Sequence, residues 1–210
     1  GVVNVDVDLD GPLRTIFDYI GREPINLQNI IAGEKASIRG QVEANVHVTF
    51  PAIHDLPADA VKVTVDSRMN DIRLPKIVRG LDLTGGPYTL KVADGSFTLK
   101  GKGFLDDRPI DLVYSEYLNP VGAPFVSDIK ASVVADQKLR DHFGIHLDQF
   151  IEGSLPVDLH YKEPQKGNIA IDVRADLTPV RFRVRPFGYD KPQGVSGEAS
   201  CVAVVSGRDI

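Results

Sequence analysis

The side chains best suited to acid–base work or metal ligation in this chain are its five histidines, His47, His54, His142, His146 and His160. His142 and His146 have the spacing of two ligands on one helix face, but Gly144 interrupts that helix and no Glu follows His142 as a zincin helix requires. The pair is read as two exposed side chains at a helix end, and no metal is expected there. Gly95 and Gly101-Lys102 resemble a phosphate loop, yet five residues intervene instead of four, and Gly103 stands where Ser or Thr belongs. Ser127-x-x-Lys130 echoes a serine hydrolase motif, but its segment alternates as a strand, which sends the two side chains to opposite faces. Asp6, Asp8 and Asp10 read as the solvated face of a strand, Asp106 and Asp107 as turn chemistry. Arg181, Arg183 and Arg185 alternate with Val180, Phe182 and Val184 and read as a water-facing row, with Asp6 and Asp8 as its candidate partners. No nucleophile, base and orienter come together, so no catalytic residue, cofactor or enzyme activity is expected.

The elements that would position such groups are mostly strands. Val (25) plus Ile (16) outnumber Leu (17) plus Ala (14), and Asp (22) outnumbers Glu (7), a balance that favours strands and turns over helix interiors. The 210 residues carry 24 Lys+Arg against 29 Asp+Glu, a net charge of −5 that argues against nucleic acid as a partner. Residues 36 to 50 alternate strictly, with Ile38, Val42, Val46 and Val48 on the apolar parity and only Gly40 as a gap. The same period recurs at Val3/Val5/Val7/Leu9, Val61/Val63/Val65, Tyr88/Leu90/Val92, Phe97/Leu99, Ile110/Leu112/Tyr114, Leu155/Val157/Leu159/Tyr161 and Ile169/Ile171/Val173. Such alternation suits antiparallel sheets with one covered face. Asp94-Gly95 predicts a two-residue hairpin, and Asp106-Asp107 before Pro109 a second turn. Short helices are expected at Pro12 to Ile20 and Asp136 to Phe143, with a third candidate at Asp71 to Val78 that Pro75 weakens.

The helices suggest an internal repeat. Leu13-Arg14-x-x-Phe17 matches Leu139-Arg140-x-x-Phe143, and Ile25-x-Leu27-x-x-x-Ile31-x-Gly33 matches Ile145-x-Leu147-x-x-x-Ile151-x-Gly153. Residues 25 to 50 and 145 to 162 are thus expected to be equivalent. The chain reads as one elongated β-rich segment over 1–210, with sub-repeats 1–60, 61–126 and 127–210. Its opening inside an alternating pattern, without an initiator Met, sets the expectation of a longer parent chain.

The stretch Val92-Ala-Asp-Gly-Ser-Phe-Thr-Leu-Lys-Gly-Lys-Gly-Phe-Leu-Asp-Asp-Arg-Pro-Ile-Asp-Leu-Val-Tyr-Ser-Glu116 has a cadence that resembles the AsmA-like superfamily of Gram-negative envelope proteins, notably the large members related to TamB and YhdP. The opening Val5-x-Val7-x-Leu9-x-Gly11-Pro12-Leu13 and the strand exits Ala135-Asp136 and Ala175-Asp176 fit the same style. The resemblance implies a curled antiparallel sheet forming an apolar groove. It also implies a periplasmic location, tethered to the inner membrane outside this chain, and a non-enzymatic role in carrying phospholipid acyl chains between membranes beside neighbouring repeats. The apolar positions that would line such a groove are Ile38, Val42, Val46, Val48, Leu90, Val92, Leu99, Leu155, Val157, Leu159, Ile169, Ile171 and Val173. The alternative is a β-sandwich with a closed core, acting as a structural or protein-interaction module.

Overall fold

The computed structural model of the protein describes residues 1–15, 37–57 and 60–205. In chain order its strands are β1 (Val2–Pro12), β2 (Arg39–Pro51), β3 (Lys62–Val78), β4 (Leu81–Ala93), β5 (Ser96–Leu105), β6 (Arg108–Tyr117), β7 (Ser127–Ala135), β8 (Ile151–Glu152), β9 (Leu155–Glu163), β10 (Ile169–Asp176), β11 (Arg181–Val184), β12 (Tyr189–Lys191) and β13 (Glu198–Val205). The α-helix α1 (Gln137–His142) follows β7, and a 3-10 turn covers Arg185–Phe187. Ten strands hydrogen-bond into one sheet in the order β1-β2-β3-β4-β5-β6-β7-β9-β10-β13, every pair antiparallel; β12-β11-β8 form a small second sheet. The protein is therefore mainly β, with few short helices.

The period-two sequence decides which face is which. From β1 the register carries Val7 opposite Val46, Val46 opposite Val65 and Val65 opposite Val92, so the apolar residues of successive strands form continuous rows. The opposite face is a set of cross-strand polar pairs: Asp8 with Asn45 (2.9 Å), Asp66 with Lys91 (2.9 Å), Lys102 with Asp111 (2.8 Å) and Ser132 with Asp158 (2.5 Å). These pairs are directly opposed in the ladder, an arrangement that satisfies polar groups while leaving them in water.

The apolar face is not uniformly covered. Leu13, Ile72, Leu83 and Tyr88 are fully buried at one end, where α1 also brings Leu139 and the partly buried Phe143 onto the core. Along β1, by contrast, Val5, Val7 and Leu9 keep 39%, 38% and 38% of their surface exposed. A separate cluster of Ile151, Leu155, Ala175, Leu177 and Val180 joins the small sheet to β9 and β10.

Local signals held at the turns and at α1. Asp94 (φ 51°) and Gly95 (φ 69°) make the β4–β5 turn with Ala93 opposite Ser96, and Asp106 (φ 50°) opens the β5–β6 turn. Asp136 caps α1 by accepting from the Leu139 N–H, and Gly144 (φ 73°) follows its end. Gly40 (φ 129°) marks a register shift in β2, because a Cβ there would lie 2.9 Å from the Ile72 Cα.

Three expectations are corrected or fall elsewhere. Asp71 to Val78 is the second half of β3, not a helix: Ile72 and Leu74 pack inward at a spacing of two, and positive φ at Asp71 and Lys76 breaks any helical run. The Arg181 and Arg183 row does not face Asp6 and Asp8. Arg181 is paired with Asp190 (2.5 Å) and Arg183 with Glu152 (2.7 Å) inside the small sheet, while Asp6 is bound to His47 (2.6 Å). A helix begins at Leu13, but residues 16 to 20 of that expected helix, and the Ile25 to Gly33 half of the repeat, lie outside the described residues.

Candidate functional site

The residues expected to line a groove all fall on the apolar face. Val46, Val48, Leu90, Val157, Leu159, Ile171 and Val173 are half-buried, whereas Ile38, Val42, Val92, Leu99, Leu155 and Ile169 are buried. β2 and β9 do not pair; β3 to β7 stand between them, so Val46 and Leu159 belong to distant columns of one surface. The partly covered region spans the outer strands, β1 and β2 on one flank and β7, β9 and β10 on the other.

Tyr88 organises the closed end. It is opposite Gly101, and its ring lies so near β5 that a Cβ on Gly101 would sit 2.5 Å from the ring and one on Gly103 2.2 Å from the phenol oxygen. This is why Gly101-Lys102-Gly103 reads as a glycine motif: the glycines leave room for an aromatic side chain, and Lys102 faces away to meet Asp111. The Tyr88 hydroxyl, fully buried, has no hydrogen-bond partner among the described residues, and burial, with Asp111 as a lesser cause, pushes its pKa up to about 12. Removing an unsatisfied buried hydroxyl relieves its desolvation cost. Tyr88→Phe is thus expected to raise stability by about 1 kcal/mol in urea melts; a destabilised variant would show that the hydroxyl has a partner.

Arg140 ties the helix to the sheet. Buried to 4% exposure, it donates through Nη1 to the carbonyls of Ala135 (2.9 Å) and Gly153 (3.1 Å) and reaches Asp148 at 3.4 Å. The sequence had flagged this residue only as part of a repeat motif.

Histidines are scattered on the polar surface. His142 bonds the Arg79 carbonyl (2.9 Å) while His146 meets Asp141 (3.3 Å), so the two imidazoles turn to different partners. Asp6, His47 and Thr49 form a carboxylate–imidazole–hydroxyl chain, with His47 Nδ1 at 2.6 Å from Asp6 and Nε2 at 3.0 Å from Thr49. That order is the order of a hydrolase triad. Yet Thr49 Oγ1 is also bonded to Asn4 Oδ1 (2.9 Å), and β2 is laddered on both sides, so its backbone N–H groups form no oxyanion hole. Among the described residues no group of three or more His, Cys, Asp or Glu could hold a metal ion, and no helix is long and apolar enough to cross a membrane.

A trough of about 740 Å³ is lined by residues of β5 to β7, β9, β10 and β13, among them Lys102, Asp111, Val134, Asp158, Arg174 and Glu198. No histidine or cysteine is among its lining residues.

Comparison with known proteins adds no assignment to this geometry. No family model, curated protein or solved structure matches the chain.

One feature escaped the sequence reading although its signal was present. Tyr114-Ser-Glu116 and Tyr161-Lys-Glu163 are the same Tyr-x-Glu unit at the ends of β6 and β9, and both place a carboxylate on the apolar face. Acidic residues at apolar parity are the signal that would have found them.

Proposed function

We propose that the apolar face of the ten-stranded sheet binds lipid acyl chains, and that the chain is a non-enzymatic, lipid-conducting segment of a periplasmic AsmA-like envelope protein. In this reading the sheet curls into a groove, neighbouring repeats of a longer parent chain continue it, and a segment elsewhere tethers it to the inner membrane. The observation that carries the proposal is the continuous apolar surface whose β1 column, Val5, Val7 and Leu9, is open to solvent over more than a third of its area. Aliphatic rows of that extent are normally covered by a partner or a ligand. The resemblance of the Val92 to Glu116 stretch supplies the envelope context.

A closed structural module is the second reading, favoured by the buried cluster around Tyr88, Leu83 and Ile72. The two separate at Val46, which has Val7 and Val65 as cross-strand neighbours and is only partly buried. Val46→Asp is expected to cost about 1–2 kcal/mol, because the carboxylate keeps much of its hydration, and to abolish lipid retained through purification. Native mass spectrometry and a denaturant melt on the same preparation read both quantities. A parent protein that never carries lipid, with a variant that unfolds, sinks the groove and leaves the closed module.

A further inference from the structure

The apolar face changes character at one end of β6, β7 and β9. Glu116 is opposite Ser127 and Ser127 is opposite Glu163; one step inward, Tyr114 is opposite Ile129 and Ile129 opposite Tyr161. β6 and β9 both run antiparallel to β7, so the two Tyr-x-Glu units lie at the same level and flank Ser127 symmetrically. Two strand spacings put their backbones about 10 Å apart. Each phenol donates to the carboxylate of its own unit, Tyr114 to Glu116 and Tyr161 to Glu163 (3.2 Å).

Glu116 and Glu163 are the acidic residues that the register puts on the apolar face of the large sheet's described strands; the other carboxylates on register-paired positions lie on the polar side. Both are half-buried, with Phe97 opposite Glu116 on β5, and among the described residues neither forms an ion pair. Lys130 and Lys162 are exposed on the other face, Lys166 is exposed in the segment after β9, and Arg108, at the far end of β6, is paired with Asp136. Each carboxylate accepts one phenol hydrogen bond but has no cation beside it, so a cationic group at this end of the apolar face would gain two charge partners. Tyr114 and Tyr161 add aromatic rings, which attract ammonium groups more than anions.

We infer that this end of the apolar face receives the ammonium group of a cationic or zwitterionic amphiphile, seated between Glu116 and Glu163 against the two tyrosines, with its alkyl chain along the apolar rows. The inference rests on the acyl-chain reading above and adds a head-group preference to it. An anionic head at the same place would meet two negative charges.

Three amphiphiles with the same dodecyl chain test it: dodecyltrimethylammonium, dodecyl sulfate and dodecyl maltoside, each titrated calorimetrically below its micellar concentration. The ammonium is expected to bind about tenfold or more tightly than the sulfate, and Glu116→Gln/Glu163→Gln to remove that preference while leaving the maltoside affinity unchanged. If the double variant melts early, Glu163→Gln alone is used and is expected to lose part of the preference. Should none of the three bind, the acyl-chain reading fails and this inference with it. Should the maltoside bind while ammonium and sulfate bind equally, or the sulfate more tightly, the acyl-chain reading stands and the ammonium site is overturned. A preference for ammonium that survives both substitutions also overturns it.

Discussion

Gly103→Ala is expected to cost about 3 kcal/mol, a large share of the roughly 5–15 kcal/mol that holds a domain of this kind together. The added methyl would lie 2.2 Å from the Tyr88 phenol oxygen and 2.3 Å from the Thr84 carbonyl. The tyrosine is a side chain but is fully buried, and the carbonyl belongs to the neighbouring strand, so neither retreats without loosening the β4–β5 ladder. Combining Gly103→Ala with Tyr88→Phe separates the two contacts. The double variant is expected to recover only part of the loss, because the Thr84 carbonyl remains in the way. Denaturant midpoints of the four proteins in this cycle give the coupling directly. Full recovery would mean that the backbone adapts freely and that the hydroxyl alone forbids a side chain at this position.

Lys191→Met is the second change with a large expected effect, about 3 kcal/mol confined to the small sheet. Lys191 is 4% exposed, and its ammonium donates to the carbonyls of Val180 (3.0 Å), Pro192 (3.1 Å) and Val195 (2.8 Å). Methionine matches the apolar stem but leaves those acceptors without their shared donor. The small sheet packs on an apolar cluster that it shares with β9 and β10 but not with β4 to β6, so the damage is expected to appear as faster amide hydrogen exchange at Phe182 and Val184 with protection of β4 to β6 unchanged. Uniform loss of protection would instead make the two sheets one cooperative unit.

Face assignment was legible because a period of two leaves little freedom: once Val42, Val46 and Val48 face inward, Glu43, Asn45 and His47 must face out, and their partners Asp10, Asp8 and Asp6 arrive in register. The Asp94-Gly95 turn and the Asp136 cap were legible for a similar reason, each being set by a few adjacent residues. Asp71 to Val78 was not. Its strand conformation depends on Asp82, which bonds the Arg73 side chain (2.8 Å) and the Lys76 N–H (3.1 Å) from the next strand, and on the inward fit of Ile72 and Leu74. Gly101 and Gly103 were conspicuous in the sequence, but their purpose lies in Tyr88, thirteen and fifteen residues earlier in the chain and directly across the ladder. The Arg181 and Arg183 pairings were hidden for the same cause: Asp190 and Glu152 come from two different strands, and nothing local names them.

The strand order has a bearing on how the chain reaches its native state. From β1 to β7 each strand pairs with its neighbour in sequence, and three of the turns, at Arg79-Gly80, Asp94-Gly95 and Asp106-Asp107, are only two residues long. Closing such turns takes little loop entropy, so β3 to β6 form the natural nucleus and the remaining strands add outward one at a time. The β7–β9, β10–β13 and, in the small sheet, β8–β11 pairings bridge intervening strands, and β1 joins β2 across residues 13–38; these non-local pairings are expected to set the slow step of folding. A sheet of ten strands thereby assembles outward from its centre, with both edges, β1 and β13, secured after β3 to β6.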